Sequence, residues 1–529
     1  MGWLVGTFIL TLLFYLVFGS WLGKYTKSLD DYYVAGRKMN AVVIAATFMA
    51  SWTSAAGLVG VAACAWAWGL SGALWFYGSY FGVAIILIWI ALPMRRGMFL
   101  TVTDFFEHRF ASKRVRTIAV ITILFGMAGY FIGQVVAMGR ILEMLVGIPF
   151  QYTVWSFVAC LAIYLFFSGM MGVAITDVIM FFTLLLVGLA FPLMLMNYGG
   201  FEALFHKIPQ IKPGIWLLSG TKGALGPNLN YWIGAAIGYL ALTTTSPHLL
   251  SRAFLAKDEK ALIHGLSWGF VALAIVLPLY FCAVMFVNLE VSSLGPLIPK
   301  TDHAVAYMLK NMLPIWMGCI IIAGITAAGL STANVLISVL AQAIVRDIWQ
   351  KLWRKKGAAE VTDEKVLKFT RIWILILSVI LGYASVTIPS SSAFIIAWSA
   401  AAFAMTFLPI VLLGLYWDKI TESAAFWGMT TSLALFLILS ALSLDKAFAK
   451  ALAISPTLLA TIYSFIFVIA ASYLTKKTPE EVTAWTNMKT KMFPKEKVFG
   501  NKKDYLSLGG ALAVFTIFLV WFVQKMIVS

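Results

Sequence analysis

Residues 50–57 read Ala50-Ser51-Trp52-Thr53-Ser54-Ala55-Ala56-Gly57, and residues 243–248 read Thr243-Thr244-Thr245-Ser246-Pro247-His248. Each stretch sits inside an apolar run long enough to cross a bilayer, about 20 residues. Small and hydroxylated residues let membrane helices approach closely, and proline is tolerated in spans, so helix packing accounts for either stretch alone. The two together say more. Fourteen apolar runs lie along the chain, approximately 3–23, 40–69, 71–94, 116–141, 149–171, 174–196, 230–254, 265–289, 313–345, 367–388, 391–416, 421–443, 453–475 and 505–527. The interrupted runs are the second and the seventh, five apart. They head two consecutive five-helix units, 40–196 and 230–416, and because five is odd the second enters the membrane inverted. Interrupted helices at matching positions of two inverted halves point to a transporter's central site, where freed carbonyls hold cations and helix N-termini face anions.

Composition agrees with a membrane protein. Of 529 residues, 61% are hydrophobic and 12% charged, against about 45–50% and about 25% in a soluble domain. A secreted or cytosolic enzyme is excluded. Lipid cannot satisfy open backbone groups, so the runs are helices. The first run has no basic residue before it, and so reads as a spanning helix and not as a cleavable leader. Thirty of the 39 Lys and Arg residues fall in the connections after odd-numbered runs, which makes that side cytoplasmic and places both termini outside. The net charge of +17 is then a face beside anionic headgroups, with no nucleic-acid partner implied. The long cytoplasmic connections, 346–366 and 476–504, are too polar to bury a core. No Gly-x-x-x-x-Gly-Lys-Ser/Thr phosphate loop occurs, so a gradient and not ATP must drive any pumping. Cys64, Cys160, Cys282 and Cys319 stand alone in apolar runs and read as small hydrophobes.

Chemistry-bearing groups are few. The ninth run contains Ala328-Gly329-Leu330-Ser331-Thr332-Ala333-Asn334. Sodium is a hard cation that takes several oxygen ligands, and Ser331 and Thr332 can offer hydroxyls while the second run offers carbonyls. Both hydroxyls can equally bond back to their own helix. Ionisable groups at membrane depth are functional candidates. Asp177, at the start of the sixth run, is the first of these, with helix capping as its simpler role. Arg140 and Glu143 read as a structural ion pair and His248 as a packed, hydrogen-bonded histidine.

Several segments in order resemble the sodium:solute symporter family, which includes bacterial proline and pantothenate transporters and the sodium–glucose cotransporters. They are Asp31-Tyr32-Tyr33-Val34-Ala35-Gly36-Arg37, the hydroxyl-rich second run, Thr103-Asp104-Phe105-Phe106-Glu107-His108-Arg109-Phe110 and Gly139-Arg140-Ile141-Leu142-Glu143. Further on come Ala174-Ile175-Thr176-Asp177, Ser246-Pro247-His248-Leu249-Leu250-Ser251-Arg252, and Ala328-Gly329-Leu330-Ser331-Thr332 followed by Arg346-Asp347. The resemblance covers roughly residues 1–420. It implies an all-α integral membrane protein of the leucine-transporter type, a 5+5 inverted repeat with peripheral helices, working by sodium symport. It also implies a sodium ion held by the carbonyls of Ala50, Thr53 and Ala328 and the hydroxyls of Ser331 and Thr332, with Asp177 on the ion's exit path. Where proline-transporting members carry an aspartate, this chain has Trp52. Their solute positions fall on Ser54, Ala55, Tyr130, Tyr239, Thr243 and Pro247, and several side chains differ. Tyr130 and Tyr239 would wall the solute while Ser54 and Thr243 donate to a carboxylate.

The expectation is a plasma-membrane, sodium-coupled symporter importing a small organic solute such as an amino acid, a monocarboxylate or a pantothenate-like acid, functional as a monomer among membrane lipids, and not an enzyme. The rival readings are proton coupling on the same fold, and a transporter-like sensor without its own signalling module. Residues 1–39 would form a peripheral span and cytoplasmic loop, 197–229 an extracellular loop, and 417–529 the peripheral C-terminal spans.

Overall fold

The computed structural model describes residues 2–22, 29–217, 229–353, 361–388, 391–442, 455–494 and 502–528. Among them there is no strand, and helices long and apolar enough to cross a membrane run from Gly2–Leu22 to Tyr505–Phe522. The first span is Gly2–Leu22. The second is broken, Ala41–Thr53 then Gly57–Trp68, with a bend of 54°. The third begins as Leu70–Ile85 and continues to Arg96, and the fourth is Lys113–Val146. Helical backbone then runs unbroken from Phe150 to Val187, yet it is two spans. Tyr164 Oη and Thr176 Oγ1 are 2.9 Å apart, whereas 12 residues of straight helix would separate them by about 18 Å. The chain doubles back, giving Phe150–Ser168 and Gly172–Asn197 as the fifth and sixth spans. The seventh is again broken, Leu229–Thr245 then Pro247–Ala253. The rest are Glu259–Leu289, Ile315–Trp353, Asp363–Thr387, Ser392–Tyr416, Glu422–Leu442, Pro456–Leu474 and Tyr505–Phe522.

With lipid as solvent, helices associate through close packing and hydrogen bonds, not through loss of water. The third and seventh spans meet backbone to backbone. A Cβ on Gly78 would stand 2.0 Å from the Ala236 carbonyl oxygen, and one on Gly82 2.6 Å from that of Leu240. These glycines are four apart, so they share one helix face. The two broken spans are also tied at one end. Met39, just before the second span, exchanges backbone hydrogen bonds with Leu255 and Lys257, just after the seventh. The start of one therefore lies beside the end of the other, which is an antiparallel arrangement.

Both faces are clamped. On the basic face the helix Val102–Phe110 presents Asp104, whose Oδ1 lies 2.8 Å from Arg346 and 3.2 Å from Arg116. Arg116 also reaches Asp347 at 2.5 Å and pairs with Glu107. Asp104 Oδ2 accepts from the backbone N–H of Leu100 and of Thr101, capping its own helix. The polar connection after the thirteenth span is not free-standing chain. It contains the helix Pro479–Met492, whose Trp485 lies 4.2 Å from the Arg109 guanidinium and donates to Asp418. On the opposite face, Lys212 Nζ donates to the Trp66 carbonyl at 2.9 Å and to Asn288 Oδ1 at 3.1 Å. This holds the second half of the broken second span, Gly57–Trp68, against the segment at Lys212 and the end of the eighth span.

Burial alone would raise the Asp104 carboxyl, but the charge and hydrogen bond of Arg346, and then the charge of Arg116, hold it at about 2, below the ordinary 3.8. A carboxyl depressed in the fold contributes stability that is present above pH 3.8 and lost as pH falls toward about 2. That contribution is about 2 kcal/mol at neutral pH. Asp104→Asn removes it and leaves two guanidiniums short of a counter-charge, a loss of about 3–5 kcal/mol. Thermal unfolding in detergent is expected to show a large drop in stability at pH 7, with a shallower dependence between pH 4 and 2 than the parent. Gly78→Val forces the third and seventh spans apart and is expected to lower stability by about 1–3 kcal/mol in the same assay.

Candidate functional site

The second span stops because Ser54 takes φ +57° and ψ 151°, outside the helical region. A non-glycine residue there costs about 1–3 kcal/mol, and such strain gathers at binding sites. The break is held from three sides. Ser54 Oγ accepts from the Gly57 N–H at 3.0 Å and starts the second half of the span. Gln134 of the fourth span offers Oε1 to the Ala56 N–H at 3.3 Å. Thr332 of the ninth span donates to the Ser51 carbonyl at 3.2 Å, and Ser331 Oγ lies 3.4 Å from Ser51 Oγ. Ala50 and Thr53 flank Ser51 in the last turn before the break, and Ala328 lies one helical turn before Thr332. All five positions proposed from the resemblance as ion ligands are buried. The groups that meet at the break, the Ser51 carbonyl and the hydroxyls of Ser51, Ser331 and Thr332, are neutral oxygens, a set that suits a hard cation.

Asp177 lies within the sixth span and not at its cap, correcting the simpler reading of its role. Its Oδ2 accepts from Thr47 Oγ1 at 2.5 Å and lies 3.2 Å from Arg252 Nη2. The same Arg252 nitrogen donates to Ser51 Oγ at 3.3 Å. Position in the chain puts Arg252 among the loop residues on the basic face, but the fold buries it completely. A chain of contacts thus runs from Asp177 through Arg252 and Ser51 to Ser331. The motif Ser246 to Arg252 contains the signal for it, as an arginine closing an apolar helical turn.

The six solute positions are all buried but are not equivalent. Tyr130 meets the ring of His248 edge-on at 5.2 Å, so the fourth span packs against the turn after Pro247. Tyr239 reaches the second span through Phe76, with ring centroids 6.3 Å apart for Tyr239–Phe76 and 5.3 Å for Phe76–Trp52. Tyr80 packs edge-on against Trp52 at 5.2 Å. Thr243 donates to the Tyr239 carbonyl at 2.9 Å, and Ser54 is engaged with Gly57. Thr243 is therefore not the free donor expected of it, because a helical threonine satisfies its hydroxyl within one turn. Other buried donors are left without a partner. Trp52 Nε1, Gln134 Nε2 and the hydroxyls of Tyr80 and Tyr239 are buried with no hydrogen-bond partner among the described residues. Sequence reasoning passed over Gln134, Phe76 and Tyr80. Gln134 is detectable as a lone amide at membrane depth, while the two rings are indistinguishable from ordinary core. The expected accessory groups are in place: Arg140 pairs with Glu143 at 2.8 Å, His303 joins at 3.2 Å, and His248 Nδ1 lies 2.8 Å from Ser246 Oγ.

The fold is similar to that of a solved Na+-coupled sialic acid symporter, in a substrate-bound outward-open state. The TM-score is 0.74 at 18% identity, covering 90% of this chain and 99% of that one. In sequence the chain is 27% identical over 460 residues to the sodium/pantothenate symporter of Haemophilus influenzae, covering 82% of this chain and 91% of the relative. The family model for sodium:solute symporters matches residues 32–432. With a leucine-transporter-type helix arrangement, a broken second span meeting a serine–threonine pair, and a family match over most of its length, the chain belongs to the sodium:solute symporter family.

Proposed function

We propose that this protein couples the entry of sodium to the import of a small organic solute bearing a carboxylate or carbonyl group. The observation that carries the proposal is the meeting of Ser331 and Thr332 with the Ser51 peptide at the break in the second span. Sodium would be held there by the carbonyls of Ala50, Thr53 and Ala328 and the hydroxyls of Ser331 and Thr332. On binding it would replace the Thr332–Ser51 hydrogen bond with ion contacts from both partners. Because the ligands lie on two spans, the ion favours the arrangement in which those spans are together. The Asp177–Arg252 pair sits on the side of this site toward the basic face, on the path by which we assign the ion to leave.

The solute class follows from the neighbouring donors. A buried donor without a partner costs about 1–3 kcal/mol, and a solute offering acceptor oxygens to Trp52, Gln134, Tyr80 and Tyr239 would recover that energy. Phe76 packs against Trp52, Tyr80 and Tyr239, so these donors stand among rings, which favours a solute whose remainder is apolar or neutral. The guanidinium nearest by, Arg252, is committed to Asp177, which disfavours multiply charged anions. Amino acids, short monocarboxylates and pantothenate-like acids satisfy these conditions, and pantothenate, the solute named for the Haemophilus relative, is the first to test. We assign the inverted repeats to 40–196 and 230–416, the basic face to the cytoplasm of a plasma-membrane protein, and both termini to the outside. Residues 197–229 are then an extracellular loop, with 1–39 and 417–529 peripheral. Proton coupling remains a second reading because Asp177 Oδ1 is buried without a hydrogen-bond partner among the described residues.

Uptake into vesicles under opposed sodium and pH gradients separates the two ions. A sodium gradient alone is expected to drive accumulation, and accumulation driven by pH alone overturns sodium coupling. Thr332→Ala is expected to raise the half-saturating concentration of sodium about tenfold, and to raise that of solute when sodium is subsaturating, because solute affinity depends on sodium through the coupling between the two sites. An unchanged sodium dependence removes the ion site from Thr332. Trp52→Phe keeps the ring and deletes one donor. It is expected to weaken solute binding by about 1–3 kcal/mol while leaving stabilisation by sodium intact in a thermal assay.

A further inference from the structure

On the basic face, a cavity of about 560 Å³ lies where the helix Val102–Phe110, the helix Pro479–Met492 and the end of the ninth span meet. Sites for small molecules have about this size, roughly 300–1,000 Å³. The proposed handling of sodium and solute makes no use of it. Two of the elements around it are connections between spans, so it opens to water and not to lipid.

The charges in its wall do not cancel. The two carboxylates are spent, Asp104 on Arg346 and Arg116, and Glu107 on Arg116. A metal ion would find no free carboxylate there. The cations are different. Lys351 and Lys491 line the cavity, are exposed, and have no ion pair or hydrogen bond among the described residues. Arg346 lines it too and is only 9% exposed. It gives Nη1 to Thr101 Oγ1 at 2.7 Å and to Asp104 Oδ1 at 2.8 Å. Its Nε and Nη2 have no hydrogen-bond partner among the described residues. That edge of a guanidinium presents two parallel donors, the geometry that grips an oxyanion.

Three cations with donors to spare therefore face one cavity, two from the ninth span and one from the helix Pro479–Met492. A carboxylate brings a single charge. A phosphate monoester brings about −1.5 to −2 and three acceptor oxygens, which matches the three cations. The apolar part of the wall, Phe99 and Met488, gives the organic remainder something to pack on.

We infer that this cavity binds a small soluble phosphate monoester, with its phosphate on the Nε–Nη2 edge of Arg346 between Lys351 and Lys491 and its organic part against Phe99 and Met488. The inference does not depend on which solute or ion is carried. The ninth span also carries Ser331 and Thr332. A ligand held between that span and the helix Pro479–Met492 favours the conformation in which the two are together, and so couples the basic face to the ion site.

The test measures thermal stability of the full chain in detergent, because a ligand that binds the folded state raises it. The probes are phenyl phosphate, inorganic phosphate and chloride at matched ionic strength, and phosphatidic acid in mixed micelles. Phenyl phosphate is expected to stabilise at the lowest concentration, inorganic phosphate at a higher one, and chloride not at all. K351Q and K491Q are each expected to raise the half-saturating concentration of phenyl phosphate about fivefold, the worth of about 1 kcal/mol for an exposed charge pair. Both lysines are exposed and without partners among the described residues, so neither change is expected to disturb the fold. K365Q removes the same charge from the tenth span, outside the cavity, and is expected to shift nothing. Unchanged half-saturation in K351Q and K491Q overturns the proposal. So does an equal shift in K365Q, or equal stabilisation by chloride, since either means diffuse screening. A response to phosphatidic acid without one to the soluble phosphates makes this a lipid headgroup site, and overturns it as well.

Discussion

In a bilayer a helix cannot stop without cost, because no water is present to take the backbone groups it releases. The break at Ser54 creates that problem at mid-membrane, and the surrounding core is arranged around it. Thr332 donates to the Ser51 carbonyl, Gln134 accepts from Ala56, and Ser54 caps the second half of the span through Gly57. Each partner comes from an element that must be correctly placed for the broken span to be stable. The interruption therefore ties the fourth and ninth spans to the second.

On the proposed function, the same arrangement would let an ion act as a switch. Hydrogen bonds of 3.2 Å from a threonine to a carbonyl are exchangeable for contacts to a small hard cation, since both groups offer oxygen. Beside it, Asp177 and Arg252 bury a full ion pair. Pairs of this kind add little net stability, but removing one member leaves an uncompensated charge. Their value here is positional. Arg252 touches Asp177 and Ser51 at once, so the seventh span, the sixth and the second share one contact. The clamps on the two faces, Asp104 with Arg116 and Arg346 on one and Lys212 with Trp66 on the other, hold the ends of the helices that meet at this centre.

Much of this organisation is legible from the chain alone where the signal is one-dimensional. Span positions follow from hydropathy, and the interrupted second and seventh spans declare themselves by hydroxyls and a proline. The hairpin between the fifth and sixth spans appears where two apolar runs adjoin at Gly172, even though helical backbone continues through the turn. The connection after the thirteenth span is too polar for a core of its own, yet Trp485 and Met492 anchor a helix onto the basic face, because an amphipathic helix needs only one apolar stripe to dock.

By itself, the sequence determined that the chain crosses the membrane many times, which side is basic, and where two helices break, because these depend on transfer from water to lipid and on local backbone chemistry. Only the tertiary structure decided that Arg252 is a core residue, that Thr243 is spent on its own helix, and that donors of Trp52, Tyr80, Tyr239 and Gln134 find no partner among the described residues. Those facts concern which partner a polar group finds. A side chain has many possible partners in the sequence, and packing selects one.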